Sequence, residues 1–155
     1  IFPLEKSSFA LVNVLFSFVA VVIVILITGM PIKTTIFLIP IPIFLAFIFS
    51  TGLGLILASM NTFFRDMGHL YSVWTTAWMY LTPMFYPISI IPDNIKTVIY
   101  YNPLYYYVTY LRMLVIDGEI PGMEINVICI CFSFLFLLIG LLIFKKNQDK
   151  FILYI

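Results

Sequence analysis

Six tyrosines within eleven residues are the side chains of this chain best suited to binding a ligand. They are Tyr100, Tyr101, Tyr105, Tyr106, Tyr107 and Tyr110. Tyrosine presents a flat apolar face with a hydroxyl at its tip, which suits stacking against sugar rings. Tyrosines also form the aromatic belts that anchor membrane proteins at the lipid headgroups, so the sequence leaves both interpretations open.

The predicted substrate path consists of Tyr101, Tyr105, Tyr106, Tyr110 and Arg112. After Pro103, residues Tyr106, Tyr110 and Met113 follow at i, i+4 and i+7, so a helix would place them on one face. Arg112 could satisfy carbonyls of the hairpin predicted below over about residues 93–117, or neutralise a phosphate on the substrate. The sequence does not decide between these two roles.

The polar segment 61–69 contains Phe64, Arg65, Asp66 and His69. Arg65 and Asp66 could form an ion pair that ends a membrane span, or they could contact a partner protein. We interpret His69 as a solvated residue at the membrane interface.

Cysteine chemistry is not indicated. Cys129 and Cys131 lie two residues apart in an apolar run, so on a helix they point to nearly opposite sides. They can then neither form a disulfide with each other nor share a metal ion. We predict no catalytic residue and no metal site in this chain.

Composition shows which environment must surround these side chains. The chain is 63% hydrophobic and 10% charged, with a mean hydropathy of +1.14, whereas soluble domains carry about 25% charged residues. Four apolar runs, residues 9–28, 36–60, 70–91 and 125–144, each reach the length of about 20 residues that crosses a bilayer. We therefore predict a multi-pass membrane protein. A net charge of +1 gives no basic surface for nucleic acid.

None of the four runs contains an acidic, basic or histidine side chain. Proton relays and ion-coupling sites in membranes depend on such residues. If the protein transports something, we expect the energy to come from another subunit or from the gradient of the substrate.

The segment between the third and fourth runs predicts two short helices. Pro83 and Pro87 should kink or break the third span near its end. Pro92 opens a helix of about two turns, and Asn102-Pro103 opens a second one as cap and first residue. At 1.5 Å per residue, residues 104–116 extend about 20 Å, less than the bilayer core of about 30 Å. We predict a re-entrant hairpin over about residues 93–117, and so an all-α fold of four transmembrane helices with this hairpin before the last.

Basic residues predict the orientation. With the start of the chain in the cytoplasm, Lys6, Arg65, Lys145, Lys146 and Lys150 lie inside, against Lys33, Lys96 and Arg112 outside. Cytoplasmic loops carry the excess of positive charge, so both ends should be cytoplasmic. In the second run, Ser50, Gly54 and Ala58 form a stripe of small residues that predicts close packing of another helix.

Taken in order, these features resemble one protein family. They are Phe-Pro-Leu-Glu at residues 2–5, Phe64-Arg65-Asp66, Pro83, Pro87, Pro92, Asn102-Pro103 and Arg112. The chain resembles the permease subunit of type-2 ABC exporters, in particular the branch that exports lipid-linked polysaccharides such as O-antigen, capsule or teichoic acid.

The resemblance implies six spans per subunit, a homodimer in the cytoplasmic membrane, and two separate ATPase subunits docked on cytoplasmic loops. Phe64, Arg65 and Asp66 would form part of the ATPase-coupling loop. ATP and magnesium would bind the partner subunit, with no cofactor on this chain and a lipid-linked glycan as substrate. The chain would be the C-terminal part of such a permease, without its first two spans.

Three alternatives differ in substrate or class. A drug or small-lipid exporter would share the fold. A membrane-embedded transferase would need an acid or histidine at the interface. His69 and Asp66 lie on one predicted side of the membrane, whereas the acids Asp93, Asp117, Glu119 and Glu124 lie on the other. A non-catalytic scaffold would not need a kinked span and a hairpin.

Overall fold

The computed structural model describes residues 2–28, 34–63, 67–84, 86 and 88–151. Six α-helices follow in order: α1 (Phe2–Thr28), α2 (Pro40–Phe63), α3 (Met67–Leu81), α4 (Asp93–Tyr100), α5 (Pro103–Arg112) and α6 (Met123–Phe151). Single 3₁₀ turns occupy Thr34–Leu38 and Ile88–Ile90, and a π-helical turn occupies Met113–Asp117. The predicted all-α fold is confirmed.

Prolines define the ends of two helices. α2 begins at Pro40 and contains Pro42 in its first turn, where a missing N–H leaves no helical hydrogen bond unmade. α3 ends at Leu81, two residues before Pro83, so the third apolar run is broken where the prolines predict. Pro87 lies outside the described residues.

The packed centre of the described chain is the pair α2 and α6. Their backbones meet at Gly52 and Gly140: a Cβ built on Gly52 would lie 2.5 Å from the carbonyl carbon and oxygen of Phe136. This contact differs from the predicted stripe, because Ser50 is exposed whereas Thr51 and Gly52 are buried. Another helix does pack closely on a small residue of α2, as predicted. That residue is Gly52, because the rotation of α2 turns Gly52 toward α6.

One buried cluster joins α2, α5 and α6. Its members are Ile39, Leu45, Phe49, Tyr107, Tyr110, Leu114 and Cys129. Phe49 contacts the rings of Tyr107 and Phe136 at centroid distances of 5.6 and 4.9 Å. The short helix α5 is therefore built into the core rather than lying on its surface.

Much of the remaining apolar surface is uncovered. Phe16 on α1, Trp74 on α3 and Leu142 on α6 are all exposed, far beyond what soluble proteins leave open. Within the described residues, the helical stretches Thr34–Asn61 and Met123–Asn147 are long and apolar enough to cross a membrane. The chain is a polytopic all-α membrane protein. Four spans and the re-entrant path of α4 and α5 stay predictions.

Candidate functional site

The candidate site is the helical hairpin of α4 and α5. α4 starts after Pro92, and the ammonium of Lys96 lies 2.7 Å from a carboxylate oxygen of Asp93 in its first turn. This hydrogen bond, reinforced by the positive charge of Lys96, lowers the pKa of Asp93. At the other end of the hairpin, Gly118 has a φ of 65° and closes the π-helical turn, a conformation that favours glycine.

Four tyrosines lie on the outer part of the hairpin. Tyr101 is 81% exposed, and three further rings form a connected series. Tyr100 meets Tyr105 edge-on with centroids 5.6 Å apart, and Tyr105 meets Tyr106 at 5.2 Å. Tyr106 stacks on Phe132 of α6 at 6.5 Å, and its hydroxyl donates to the carbonyl of Tyr100. The series is thus held on both hairpin helices and on α6.

The other two tyrosines are buried in the core. The Tyr107 hydroxyl lies 2.7 Å from the Ser133 hydroxyl and 3.0 Å from the carbonyl of Cys129. The Ser133 hydroxyl also lies within hydrogen-bond distance of the carbonyls of Leu45 and Cys129. This network links α5 to both α2 and α6.

Tyr110 is only 4% exposed, and its hydroxyl donates to the side-chain oxygen of Asn126 at 2.6 Å. We expected Tyr106, Tyr110 and Met113 to share a face on the substrate path. The structure instead turns the Tyr110 part of that face toward α6. Tyr110 therefore supports the hairpin from inside the core and is not on its surface. The predicted substrate path now rests on the four outer tyrosines, Tyr100, Tyr101, Tyr105 and Tyr106.

Arg112 contacts the broken end of the third apolar run. Its guanidinium donates to the carbonyl of Met84 at 2.6 Å. Met84 follows Pro83, where the helix has ended and carbonyls need other partners. Arg112 therefore bonds a backbone carbonyl, but the carbonyl belongs to the end of the third apolar run and not to the hairpin as we expected. The phosphate role stays a prediction.

Asn102 makes a polar network that the sequence analysis did not find. Its side-chain oxygen accepts from the Leu104 amide at 3.0 Å, as predicted for a cap, and also from the Trp78 indole at 2.8 Å. Its amide donates to the Thr82 hydroxyl at 2.8 Å. Trp78 on α3 and Thr82 directly after its end are four residues apart, a spacing that signals a shared side of the chain but does not name a partner.

The predicted coupling residues Phe64, Arg65 and Asp66 lie outside the described residues. α2 ends at Phe63 and α3 begins at Met67, and His69 is exposed in the first turn of α3. In the part of the chain that the structure describes, no group of three or more His, Cys, Asp or Glu side chains could hold a metal ion.

Comparison with known proteins decides the family. Residues 7–116, which include most of α1, all of α2 to α5 and most of the π-helical turn, match the family described as ABC-2 type transporter. The chain belongs to the ABC-2 type transporter family. This confirms the family that the sequence features resemble.

Similar proteins of this family come from two bacteria. An O-antigen export system permease protein RfbA of Klebsiella pneumoniae is 32% identical over 104 residues, which cover 67% of this chain and 40% of that protein. The protein of the same name from Myxococcus xanthus is 28% identical over 116 residues, 74% of this chain and 45% of that protein. The matched region thus spans less than half the length of these relatives.

Proposed function

We propose that the chain is part of the permease subunit of an ATP-driven exporter. The exporter moves a lipid-linked polysaccharide, or a related envelope glycan, across the cytoplasmic membrane. The observation that carries this proposal is the similarity to O-antigen export permeases within the ABC-2 type transporter family. The outer tyrosines of the hairpin supply a surface with the chemistry that sugar rings require.

The energy is assigned to a separate ATPase subunit that binds ATP and magnesium. The apolar runs of this sequence carry no acidic, basic or histidine side chain, and the sequence contains no G-x-x-x-x-G-K-[ST] phosphate loop. ATPase closure pushes on the segment 61–69 and opens a pathway between this chain and a second copy of it. In this arrangement Arg65→Ala lowers export at normal membrane levels, and unchanged export would leave Arg65 only a role in ending the span.

The hairpin is assigned to the outer leaflet, with both ends of the chain in the cytoplasm. α4 and α5 have 8 and 10 residues, which correspond to about 12 and 15 Å at the helical rise. Neither length crosses a bilayer core of about 30 Å. Single cysteines at Asn94 and Glu119, in a background without Cys129 and Cys131, should both react with an impermeant thiol reagent from outside. Labelling from opposite sides would show that the segment spans the membrane.

We assign the binding of the substrate to the ring series Tyr100, Tyr105 and Tyr106, with Tyr101 beside it. Tyr100 and Tyr101 are exposed and Tyr105 and Tyr106 are partly exposed. Each of these rings can stack on a sugar for about 0.5–1.5 kcal/mol, the range for aromatic pairs. Several weak contacts in a row suit a polymer that must slide past them. Tyr110 holds this surface in place through Asn126, and Arg112 does so through the carbonyl of Met84.

The test is a comparison of two double variants. Tyr105→Ala with Tyr106→Ala removes two rings of the series and should reduce export of glycan to the cell surface about tenfold or more, as expected if two stacking contacts of this size are lost. Tyr105→Phe with Tyr106→Phe keeps both rings and should retain most of the export. Both should reach the membrane in wild-type amounts.

Normal glycan export by the double alanine variant would contradict the path. If deletion of the whole protein leaves surface glycan unchanged but sensitises cells to apolar drugs, the protein is a drug exporter of the same family.

A further inference from the structure

α3 packs less against the rest of the described chain than any other long helix. Leu70, Val73, Trp74 and Tyr80 are exposed and share one face of the helix. The far end of α3 is held instead by side-chain hydrogen bonds of Asn102 with Trp78 and Thr82. Within the described residues, α3 is therefore attached mainly at this end.

The attachment at the far end is a buried polar network around Asn102. Asn102 is 5% exposed and Thr82 is 1% exposed. The Thr82 hydroxyl donates to the carbonyl of Trp78 at 2.9 Å and accepts from the Asn102 amide. Every polar atom of the Asn102 side chain thus has a partner, a requirement that is strict where no water is available.

Asn102 also belongs to a helix that is firmly fixed on its other side. α5 is bound to α2 and α6 through Tyr107 and Ser133, and to the start of α6 through Tyr110 and Asn126. A second contact between Arg112 and Met84 joins α5 to the chain just beyond α3. Asn102 therefore lies where the loosely packed helix α3 meets the closely packed helices α2, α5 and α6.

We propose that Asn102 is a positioning residue. Its hydrogen bonds with Trp78 and Thr82, called the pin below, hold the outer end of α3 against the packed helices α2, α5 and α6. The pin fixes α3 relative to the ring series Tyr100, Tyr105 and Tyr106. A push at the Met67 end of α3 then tilts the helix about Asn102 rather than displacing it as a whole. The effect on transport rests on the proposed function, whereas the pin itself is a property of the fold.

Three substitutions break the pin without removing the cap of α5. Asn102→Ser keeps a side-chain oxygen for the Leu104 amide, because serine caps helices about as well as asparagine, but it is too short to serve Trp78 and Thr82. Trp78→Phe removes only the indole N–H and its ring extension, and Thr82→Val removes the hydroxyl with little change in shape. Trp74→Phe is the matched control, since Trp74 is exposed on the same helix.

Two measurements on the complete transporter test the proposal. The first is the distance between spin labels at Tyr80 on α3 and Val127 on α6, in a background with Cys129 and Cys131 replaced by alanine. Labelled protein is diluted with unlabelled protein to keep distances within one chain. Each lost hydrogen bond should raise the population of displaced α3 about fivefold, the factor equivalent to about 1 kcal/mol. The second is the amount of glycan exported per ATP hydrolysed, which should fall in all three variants and stay unchanged in Trp74→Phe.

The outcomes separate the two proposals. Wild-type distances in Asn102→Ser and Trp78→Phe would overturn the pin. A displaced α3 with unchanged glycan per ATP would support the pin as a contact of the fold and overturn its role in transport, because Asn102 would then serve stability alone. If the wild-type transporter exports no glycan, the proposed function fails, and the distance measurement still decides whether Asn102 holds α3.

Discussion

α2 and α3 follow one another in the chain and are both apolar, yet they are held in opposite ways. α2 buries Phe49 to 1% exposure and brings Gly52 against the backbone of α6. α3 leaves Trp74 64% exposed and is tied to the rest of the structure by hydrogen bonds at its end. One helix is fixed by close packing along its length and the other by a few polar contacts.

The contrast shows what packs helices in an apolar environment. Lipid tails solvate apolar side chains as well as a neighbouring helix does, so hydrophobicity alone does not bring two spans together. Glycines at the crossing bring the backbones of α2 and α6 close, whereas α3 exposes the large side chains of Leu70, Val73, Trp74 and Tyr80 on one face. The described part of the chain leaves that face uncovered.

The largest expected effect tests the crossing point. Gly52→Ala places a Cβ 2.5 Å from backbone atoms of Phe136, which cannot move aside as a side chain can. We expect destabilisation of about 3 kcal/mol or more, at the upper end of overpacking effects, seen as a lower thermal midpoint in lipid nanodiscs. Gly68→Ala on α3 is the matched control, because a Cβ there meets nothing within 4 Å. Equal midpoints for the two variants would show that α2 and α6 do not meet at Gly52.

Removal of one large ring from each helix sharpens the comparison. Phe49→Ala leaves a cavity between Tyr107 and Phe136. We expect a loss of about 2–3 kcal/mol, below the 3–5 kcal/mol of aqueous cores because lipid removes the hydrophobic part. Trp74→Ala should change the midpoint little. If Trp74→Ala is the more damaging variant, α3 packs against a partner as tightly as α2 packs against α6.

A smaller effect is expected from the network that links α5 to the packed pair. Ser133→Ala removes the hydroxyl shared by Tyr107 and the carbonyl of Leu45. Hydrogen bonds between membrane helices contribute about 0.6 kcal/mol on average and up to about 1.7, and we expect a loss in this range by denaturation in mixed micelles. Ser72→Ala on α3, whose hydroxyl bonds only its own helix at His69, should have no effect on the midpoint. A loss in Ser72→Ala as large as in Ser133→Ala would contradict the linking role.

The smallest effect concerns the exposed pair of Asp93 and Lys96. The lowered pKa of Asp93 means that any stabilisation is present above the pKa of the unfolded chain and disappears as pH falls through the lower folded value. Because exposed ion pairs contribute little, Lys96→Gln should leave the midpoint at pH 7 within experimental error. A clear loss at pH 7 that vanishes in acid would show that the pair holds α4 in place.

Local features of this fold were predictable from the sequence because their causes are local. Pro83 lies in the interior of an apolar run, where proline interrupts a helix, whereas Asn102-Pro103 starts a helix by capping and by a fixed φ. The helix content follows from the same logic, since apolar runs in lipid must satisfy their own backbone hydrogen bonds. The site was predictable only in part. The tyrosine cluster marked the hairpin, but helical spacing could not tell that Tyr110 faces Asn126.

By itself, the sequence determined that this is a helical membrane protein of the ABC-2 type, with a hairpin rich in tyrosine and no acidic, basic or histidine side chain in its apolar runs. Only the tertiary structure decided that Gly52 meets α6, that Tyr107 and Tyr110 are core residues, and that Asn102 joins α3 to α5. The physical reason is the same in each case. Spacing along a helix states which residues share a face, but the rotation of the helix at its closest contact determines what that face meets.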